Sequence, residues 1–318
     1  MYAMKVDDAQ AMHWTEVPDP VPKEGEVLLK IRAAALNRAD LLQRAGKYPP
    51  PPGWPEWMGL EVAGVVLSAP AGSRWKAGDE VCALLGGGGY AEKIAVPEGM
   101  VLPVPAGLSM AEAASLPEVF ATAYLNLFLE AHMREGETVF VQAGASGLGL
   151  AAIQLAKAFG AKVMTSVGSP EKAEAVRRIG ADWVLERRRD DPAAAFEAHP
   201  VDIALDCVGG EVLGNCIERL APGGRWILIS TLGGEFARIS LRPILKRGIR
   251  LIGSTLRSRP TEMKARILHE LEEKVWPKFA SKEIHPVIHA VLPVARAEEA
   301  HAILQRNGNI GKVVLEID

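Results

Sequence analysis

The chain has few of the residues that would mark it as a secreted, membrane or nucleic-acid-binding protein. Its 318 residues hold only three cysteines, Cys82, Cys207 and Cys216. They are scattered and odd in number, which argues against a disulfide framework and against a short-spaced metal knuckle. No run of eighteen apolar residues occurs, and acids stand early in Met1-Tyr-Ala-Met-Lys-Val-Asp-Asp, where a secretory leader would be apolar. An unprocessed, soluble, cytoplasmic protein with no membrane partner is the expectation. An excess of either charge is also missing: 36 basic residues oppose 39 acidic ones, for a net charge of −3. Bulk electrostatics therefore gives no reason to expect nucleic acid as a partner. With 48% hydrophobic and 24% charged residues, the chain can bury a large core, and its length suggests two domains.

Up to about residue 118 the sequence is rich in proline and glycine and reads as short strands, among them Val27 to Ala33, Val62 to Leu67 and Val81 to Leu85. The run Pro49 to Pro52 reads as a stiff loop rather than a polyproline ligand, and Gly86 to Gly89 as a flexible turn rather than a close approach to a ligand. From Glu137 strands and helices alternate: Thr138 to Gln142, helix Leu148 to Phe159, Lys162 to Val167, helix Pro170 to Ile179, a third strand from Trp183 that ends just before Arg187, Val201 to Cys207 and Trp226 to Ser230. Continuous apolar strands alternating with helices imply a doubly wound parallel sheet. Beyond residue 258 comes a helix, Thr261 to Val275, then apolar segments Val287 to Leu292 and Val313 to Ile317. The fold expected is α/β. A mostly β domain, 1–118 and 259–318, is interrupted by a nucleotide-binding domain, 119–258, with a cleft between them suited to a small molecule.

The segment Val139-Phe-Val-Gln-Ala-Gly144-Ala-Ser146-Gly147-Leu148-Gly149 carries the chemistry. A buried strand enters a glycine-dense turn and leaves as a helix. Gly144 permits the tight turn, Ser146 and Gly147 allow close approach of a pyrophosphate, and Gly149 lets the helix pack on the strand. The N–H groups of the helix start, including that of Leu148, then face the phosphates. After the second strand, Val167-Gly168-Ser169-Pro170-Glu171-Lys172 puts glycine where sites for the unphosphorylated coenzyme usually offer an acid to the ribose. A 2′-phosphate would instead meet the Ser169 hydroxyl, a helix N-terminus and the Lys172 ammonium; Arg187, just after the third strand, could add a guanidinium, although Arg187 to Arg189 read alone is a solvated loop. NADPH is therefore expected over NADH, with Glu171 the one opposing charge.

Together these segments resemble the medium-chain dehydrogenase/reductases, and among them the zinc-free NADPH:quinone oxidoreductases of the p53-inducible subgroup. The resemblance runs from Glu24 to Lys30, Ala35 to Asp40 and Gly59 to Gly64, through the glycine turn, to Ser254 to Arg259 and Asn309 to Val314. It implies a GroES-like catalytic domain beside a Rossmann domain, and a homodimer or homotetramer. Positions that hold zinc in the metal-dependent relatives are matched by Asn37, Leu60 and Glu118, too poor a set for a tetrahedral site, so no metal is expected. It further implies that Asn37 and Tyr48 line the catalytic wall. Thr122 would touch the nicotinamide, and Leu256, Arg257, Ser258, Asn309 and Lys312 would lie in coenzyme-contacting stretches. Read alone, Asn37 would be a turn residue, Tyr48 a half-buried packing residue and Lys312 a surface charge. Without a Lewis acid, easily reduced acceptors are favoured. The function expected is NADPH-dependent reduction of quinones. The alternatives are reduction of activated C=C bonds in alkenals or enoyl thioesters, and a low-turnover NADPH-binding protein with a structural or regulatory role.

Overall fold

The structure is a computed structural model that describes residues 1–318. Its fifteen strands are β1 (Tyr2–Val6), β2 (Met12–Glu16), β3 (Glu26–Ala35), β4 (Glu61–Ser68), β5 (Glu80–Leu84), β6 (Lys93–Pro97), β7 (Val101–Pro103), β8 (Thr138–Val141), β9 (Lys162–Val167), β10 (Trp183–Glu186), β11 (Ile203–Asp206), β12 (Arg225–Leu228), β13 (Arg250–Gly253), β14 (Ile288–Pro293) and β15 (Lys312–Glu316). The chain divides into two compact units, Met1–Ala121 with Arg257–Asp318, and Thr122–Leu256. No helix is long and apolar enough to cross a membrane.

The first unit is GroES-like. Its seven-stranded sheet runs β14-β15-β3-β4-β5-β7, with β6 also on β3, and β1 and β2 form a separate antiparallel ribbon. β3 alternates buried and half-buried residues along its first half, the pattern of a sheet with one covered face. The C-terminal strand β15 pairs antiparallel with the end of β3, Val314 opposite Ala35. That pairing brings a segment near residue 312 against the start of the short helix Arg38–Arg44.

The second unit is Rossmann-like: six strands, all parallel, in the order β10-β9-β8-β11-β12-β13. β8 and β11 are buried at every position, as a sheet covered on both faces requires. On one side Phe140, Met164, Phe196, Trp226 and Leu220 form a common apolar cluster.

The residues 86–89 differ from the reading as a flexible turn. All four are buried, and the Gly89 N–H donates to the Gly59 carbonyl at 3.1 Å. A Cβ on Gly59 would fall 2.6 Å from the Gly89 Cα, and one on Gly86 would meet the Trp54 indole at 2.6 Å. The glycines serve close approach after all, with the chain's own backbone and indole as the neighbours.

Candidate active site

In the Rossmann unit the turn after β8 is fixed by contacts that exclude side chains. Thr165 on β9 donates its hydroxyl to the Val141 carbonyl at 2.7 Å, and a Cβ on Gly144 would lie 1.9 Å from that hydroxyl oxygen. A Cβ on Gly149 would lie 2.5 Å from the Ala143 carbonyl oxygen. Ala143 itself has φ +55°, a left-handed conformation that costs a non-glycine residue energy and tends to cluster at functional turns. Ser146 caps the helix Gly147–Ala158, its Oγ accepting from the Gly149 N–H at 3.0 Å. Gly147 and the half-buried Leu148 open that helix, where backbone N–H groups have no intrahelical acceptor. The result is a glycine-rich cradle at the positive end of a twelve-residue helix, which suits a diphosphate.

At the end of β9 the structure brings together the residues expected around the adenosine ribose. Ser169 caps the helix Pro170–Arg178 and accepts from the Lys172 N–H at 3.4 Å. The Arg187 N–H donates to the Val167 carbonyl at 3.0 Å. Its guanidinium turns back over Gly168, so that a Cβ there would sit 2.9 Å from Nη2. The position that would carry an acid is thus faced by a cation. Arg189, by contrast, lies on the surface beside Glu186 at 3.6 Å. The remaining residues expected near the coenzyme fall in both units. Thr122 accepts an Asn126 amide at its carbonyl, 2.7 Å away, just before a π-helical stretch at Leu125–Glu130. Leu256 is buried and Ser258 exposed. Asn309 closes its own turn, Nδ2 donating to the Gly311 carbonyl at 2.6 Å.

In the GroES-like unit the wall that resemblance expects at Asn37 and Tyr48 is built around buried charge. Lys312, 5% exposed, is not the surface charge that its place on a last strand suggests. Its ammonium donates to the Leu36 carbonyl at 2.6 Å, to Asn37 Oδ1 at 2.8 Å and to Glu61 Oε1 at 2.5 Å. Three hydrogens meet three acceptors, which leaves none for a coenzyme phosphate. Asn37 Nδ2 donates to Glu61 Oε1 at 3.0 Å and, weakly, to the Ala35 carbonyl at 3.4 Å. Glu61 uses its other oxygen to accept the Glu118 N–H at 2.9 Å. Behind Asn37, the buried Asp40 carboxylate accepts the Asn37 N–H at 2.7 Å, the Gly59 N–H at 3.0 Å and the Tyr90 hydroxyl at 3.3 Å. Tyr90 in turn meets His301 Nε2 at 3.4 Å.

The electrostatics follows from burial. Desolvation pushes the Asp40 carboxyl up to about 6 in spite of its hydrogen bonds. Glu118 is pushed up to about 7 by burial and by the Glu61 charge, against the pull of Lys312 and Lys264. His301 is lowered to about 4, chiefly by burial and then by Arg44.

Tyr48 is half-buried and lies under a guanidinium, with Arg257 Cζ 4.5 Å from its ring centroid. Arg257 is held at Gly86, donating Nε and Nη2 to its carbonyl at 3.0 and 2.7 Å, while Nη1 reaches the Tyr48 carbonyl at 3.0 Å and Nη2 reaches Gln43 Oε1 at 2.7 Å. Burial raises the Tyr48 phenol and the Arg257 charge opposes it. Arg257, which resemblance put in a coenzyme-contacting stretch, spends these hydrogen bonds on the wall itself. Glu61 and Asp40 are structural members of the wall that residue patterns did not single out. The one signal available was Glu61 beside Leu60 in a segment already matched to metal ligands.

Zinc does not fit these residues. Of the three matched positions, Leu60 is buried and has no donor atom, Asn37 has both amide ends engaged, and an ammonium already occupies the oxygens of Asn37 and Glu61. No group of three or more His, Cys, Asp or Glu side chains is placed to hold a metal ion.

The fold and the site define an oxidoreductase with a Rossmann unit for a nicotinamide dinucleotide. Comparison with known proteins agrees. Residues 23–106 match the alcohol dehydrogenase GroES-like domain and residues 147–273 the zinc-binding dehydrogenase domain. The chain is 32% identical over 311 residues to quinone oxidoreductase from Rattus norvegicus, covering 95% of this chain and 92% of that protein. It is 34% identical, with a TM-score of 0.84 and full coverage of both chains, to the quinone oxidoreductase of Thermus thermophilus, whose structures include a complex with NADPH. It also resembles the JamJ enoyl reductase, at 27% identity and a TM-score of 0.87 over 100% of this chain and 99% of that one. The chain belongs to the medium-chain dehydrogenase/reductase family.

Proposed function

We propose that this protein is an NADPH-dependent reductase of quinones. The observation that carries the coenzyme choice is the Arg187 guanidinium over Gly168, where a 2′-phosphate would be welcomed and a bare ribose would find no carboxylate. Gly144, Ser146, Gly147, Leu148 and Gly149 would hold the diphosphate, and Ser169, Lys172 and Arg187 the 2′-phosphate. The half-buried Thr122 is retained as a nicotinamide contact, with Leu256, Ser258 and Asn309 on the coenzyme's approach. When bound, the coenzyme supplies reducing equivalents from its nicotinamide. The chain's own residues orient the acceptor. Tyr48, its ring pinned by Arg257, offers a hydroxyl to an acceptor oxygen. Asn37 has spent its donors, so it can accept a hydroxyl at Oδ1 but not serve a carbonyl. No group in the wall stabilises an alkoxide as a metal would, which favours acceptors that take electrons readily. Quinone oxidoreductases of similar length among the relatives support the acceptor class.

Two titrations and a substrate panel test this reading. NADPH should bind at least tenfold tighter than NADH, about 1.4 kcal/mol, and 1,4-naphthoquinone should turn over faster than a 2-alkenal. Equal coenzyme affinities would overturn the first part, and a preference for the alkenal would favour the second reading, which the JamJ enoyl reductase likeness supports. Unchanged quinone kinetics in Tyr48→Phe would remove Tyr48 as a proton donor.

We further propose a homodimer through the edge strand β13. Phe236 is 90% and Leu245 83% exposed, with Leu241 and Leu251 also in solvent. No residue of the helix Leu241–Arg247 is fully buried, and of its apolar side chains Ile244 packs against the apolar cluster. An open edge beside apolar residues calls for a cover. The three cysteines are free, in keeping with a reducing cytoplasm.

A further inference from the structure

We propose that Lys312 is a positioning residue that supplies the wall with a built-in cation, doing for Asn37 and Glu61 what a bound metal would otherwise do. The inference rests on the reading of Asn37 and Tyr48 as the acceptor wall. Three oxygens of three kinds, a main-chain carbonyl, an amide and a carboxylate, converge on one ammonium within 2.8 Å. Lys312 and Glu61 are buried, Glu61 completely, and Asn37 is half-buried. These oxygens come from separate segments: Leu36 and Asn37 follow β3, Glu61 opens β4, and Lys312 opens β15. Glu61 extends the hub to a fourth, since its second oxygen accepts the Glu118 N–H at the start of the helix Pro117–Tyr124.

The arrangement dictates the sense of the Asn37 amide. With Oδ1 toward the ammonium and Nδ2 toward the carboxylate, a flip would set donor against donor and acceptor against acceptor, both mismatches falling on the buried Lys312 and Glu61. The same ammonium neutralises Glu61, so the wall presents no uncompensated carboxylate from that residue to a metal. The match to a zinc-binding dehydrogenase model, which covers residues 147–273, therefore does not extend to metal chemistry in this wall.

Chemical rescue tests the proposal. Lys312→Ala would leave an ammonium-sized gap lined by the three oxygens. The thermal midpoint should fall by several degrees and should be recovered by n-propylammonium, but not by equal concentrations of tetramethylammonium or sodium chloride. With naphthoquinone, kcat/KM should fall about tenfold, about 1.4 kcal/mol, and Asn37→Ala added to Lys312→Ala should cause little further loss, because both act through one amide. Full stability and activity in Lys312→Ala, equal recovery by all three salts, or strictly additive losses would each overturn the proposal. If the alanine variant does not fold, Lys312→Gln is compared with Lys312→Gln/Glu61→Gln. The double variant should be the more stable, since it removes the stranded carboxylate, and a double variant no more stable than Lys312→Gln would overturn the proposal. The midpoints need no substrate, so a protein inert toward quinones and alkenals would sink the functional reading while leaving this test to be decided.

Discussion

The glycine turn of the Rossmann unit and the charged wall of the GroES-like unit solve opposite problems. The turn works by withholding side chains at two positions: a Cβ at Gly144 or Gly149 would collide with the chain itself, which leaves backbone N–H groups open at a helix start. The wall works by filling its space with side chains whose charges cancel, Lys312 against Glu61, with Asn37 held between them. The first is robust to charge and intolerant of volume. The second is tolerant of shape and intolerant of a missing charge. Substitutions that exchange these sensitivities are the way to break the comparison.

The largest effect on coenzyme binding is expected where volume enters the turn. Gly149→Val puts atoms onto the Ala143 and Gly144 carbonyls, and coenzyme affinity should drop by at least about 100-fold, about 2.7 kcal/mol, in a fluorescence titration. Next comes charge in the wall. Glu61→Gln leaves a buried ammonium without its counter-ion, and denaturant unfolding should show a loss of about 3–5 kcal/mol. Third is the pH response behind the wall. His301 is neutral in the fold down to about 4, below its ordinary 6.5, so the unfolded chain takes up the proton first. Stability from this residue is complete above about 6.5 and is lost as pH falls toward about 4. That window amounts to about 3 kcal/mol, and unfolding of His301→Phe followed from pH 7 to 4 should lack that part of the slope. The smallest is Arg187→Ala, a surface arginine, which should weaken NADPH about tenfold, about 1.4 kcal/mol, and leave NADH almost unchanged.

The two regions also differ in how far residue order reveals them. The strand, turn and helix around Gly144 were legible because backbone geometry leaves a local signature. The expected helices Leu148 to Phe159 and Pro170 to Ile179 are found at Gly147–Ala158 and Pro170–Arg178. The final apolar segments were legible as a return to the first domain, and β15 does pair with β3. The edge strand β13, exposed along most of its length, lacks the apolar run that marked its neighbours. The wall was legible only in its positions. Asn37, Leu60 and Glu118 stood out by resemblance, but nothing local joins Lys312 to Glu61 across 251 positions. The pairing exists because β15 and β4 both lie beside β3. Gly86 to Gly89 was misread for the same reason: what crowds those glycines, Trp54, Pro55 and Gly59, comes from another segment.

The most direct test is NADPH oxidation with 1,4-naphthoquinone by protein dialysed exhaustively against a chelator. Turnover equal to that of untreated protein is the result expected of a wall whose cation is Lys312. Turnover that vanishes on dialysis and returns with zinc would contradict it.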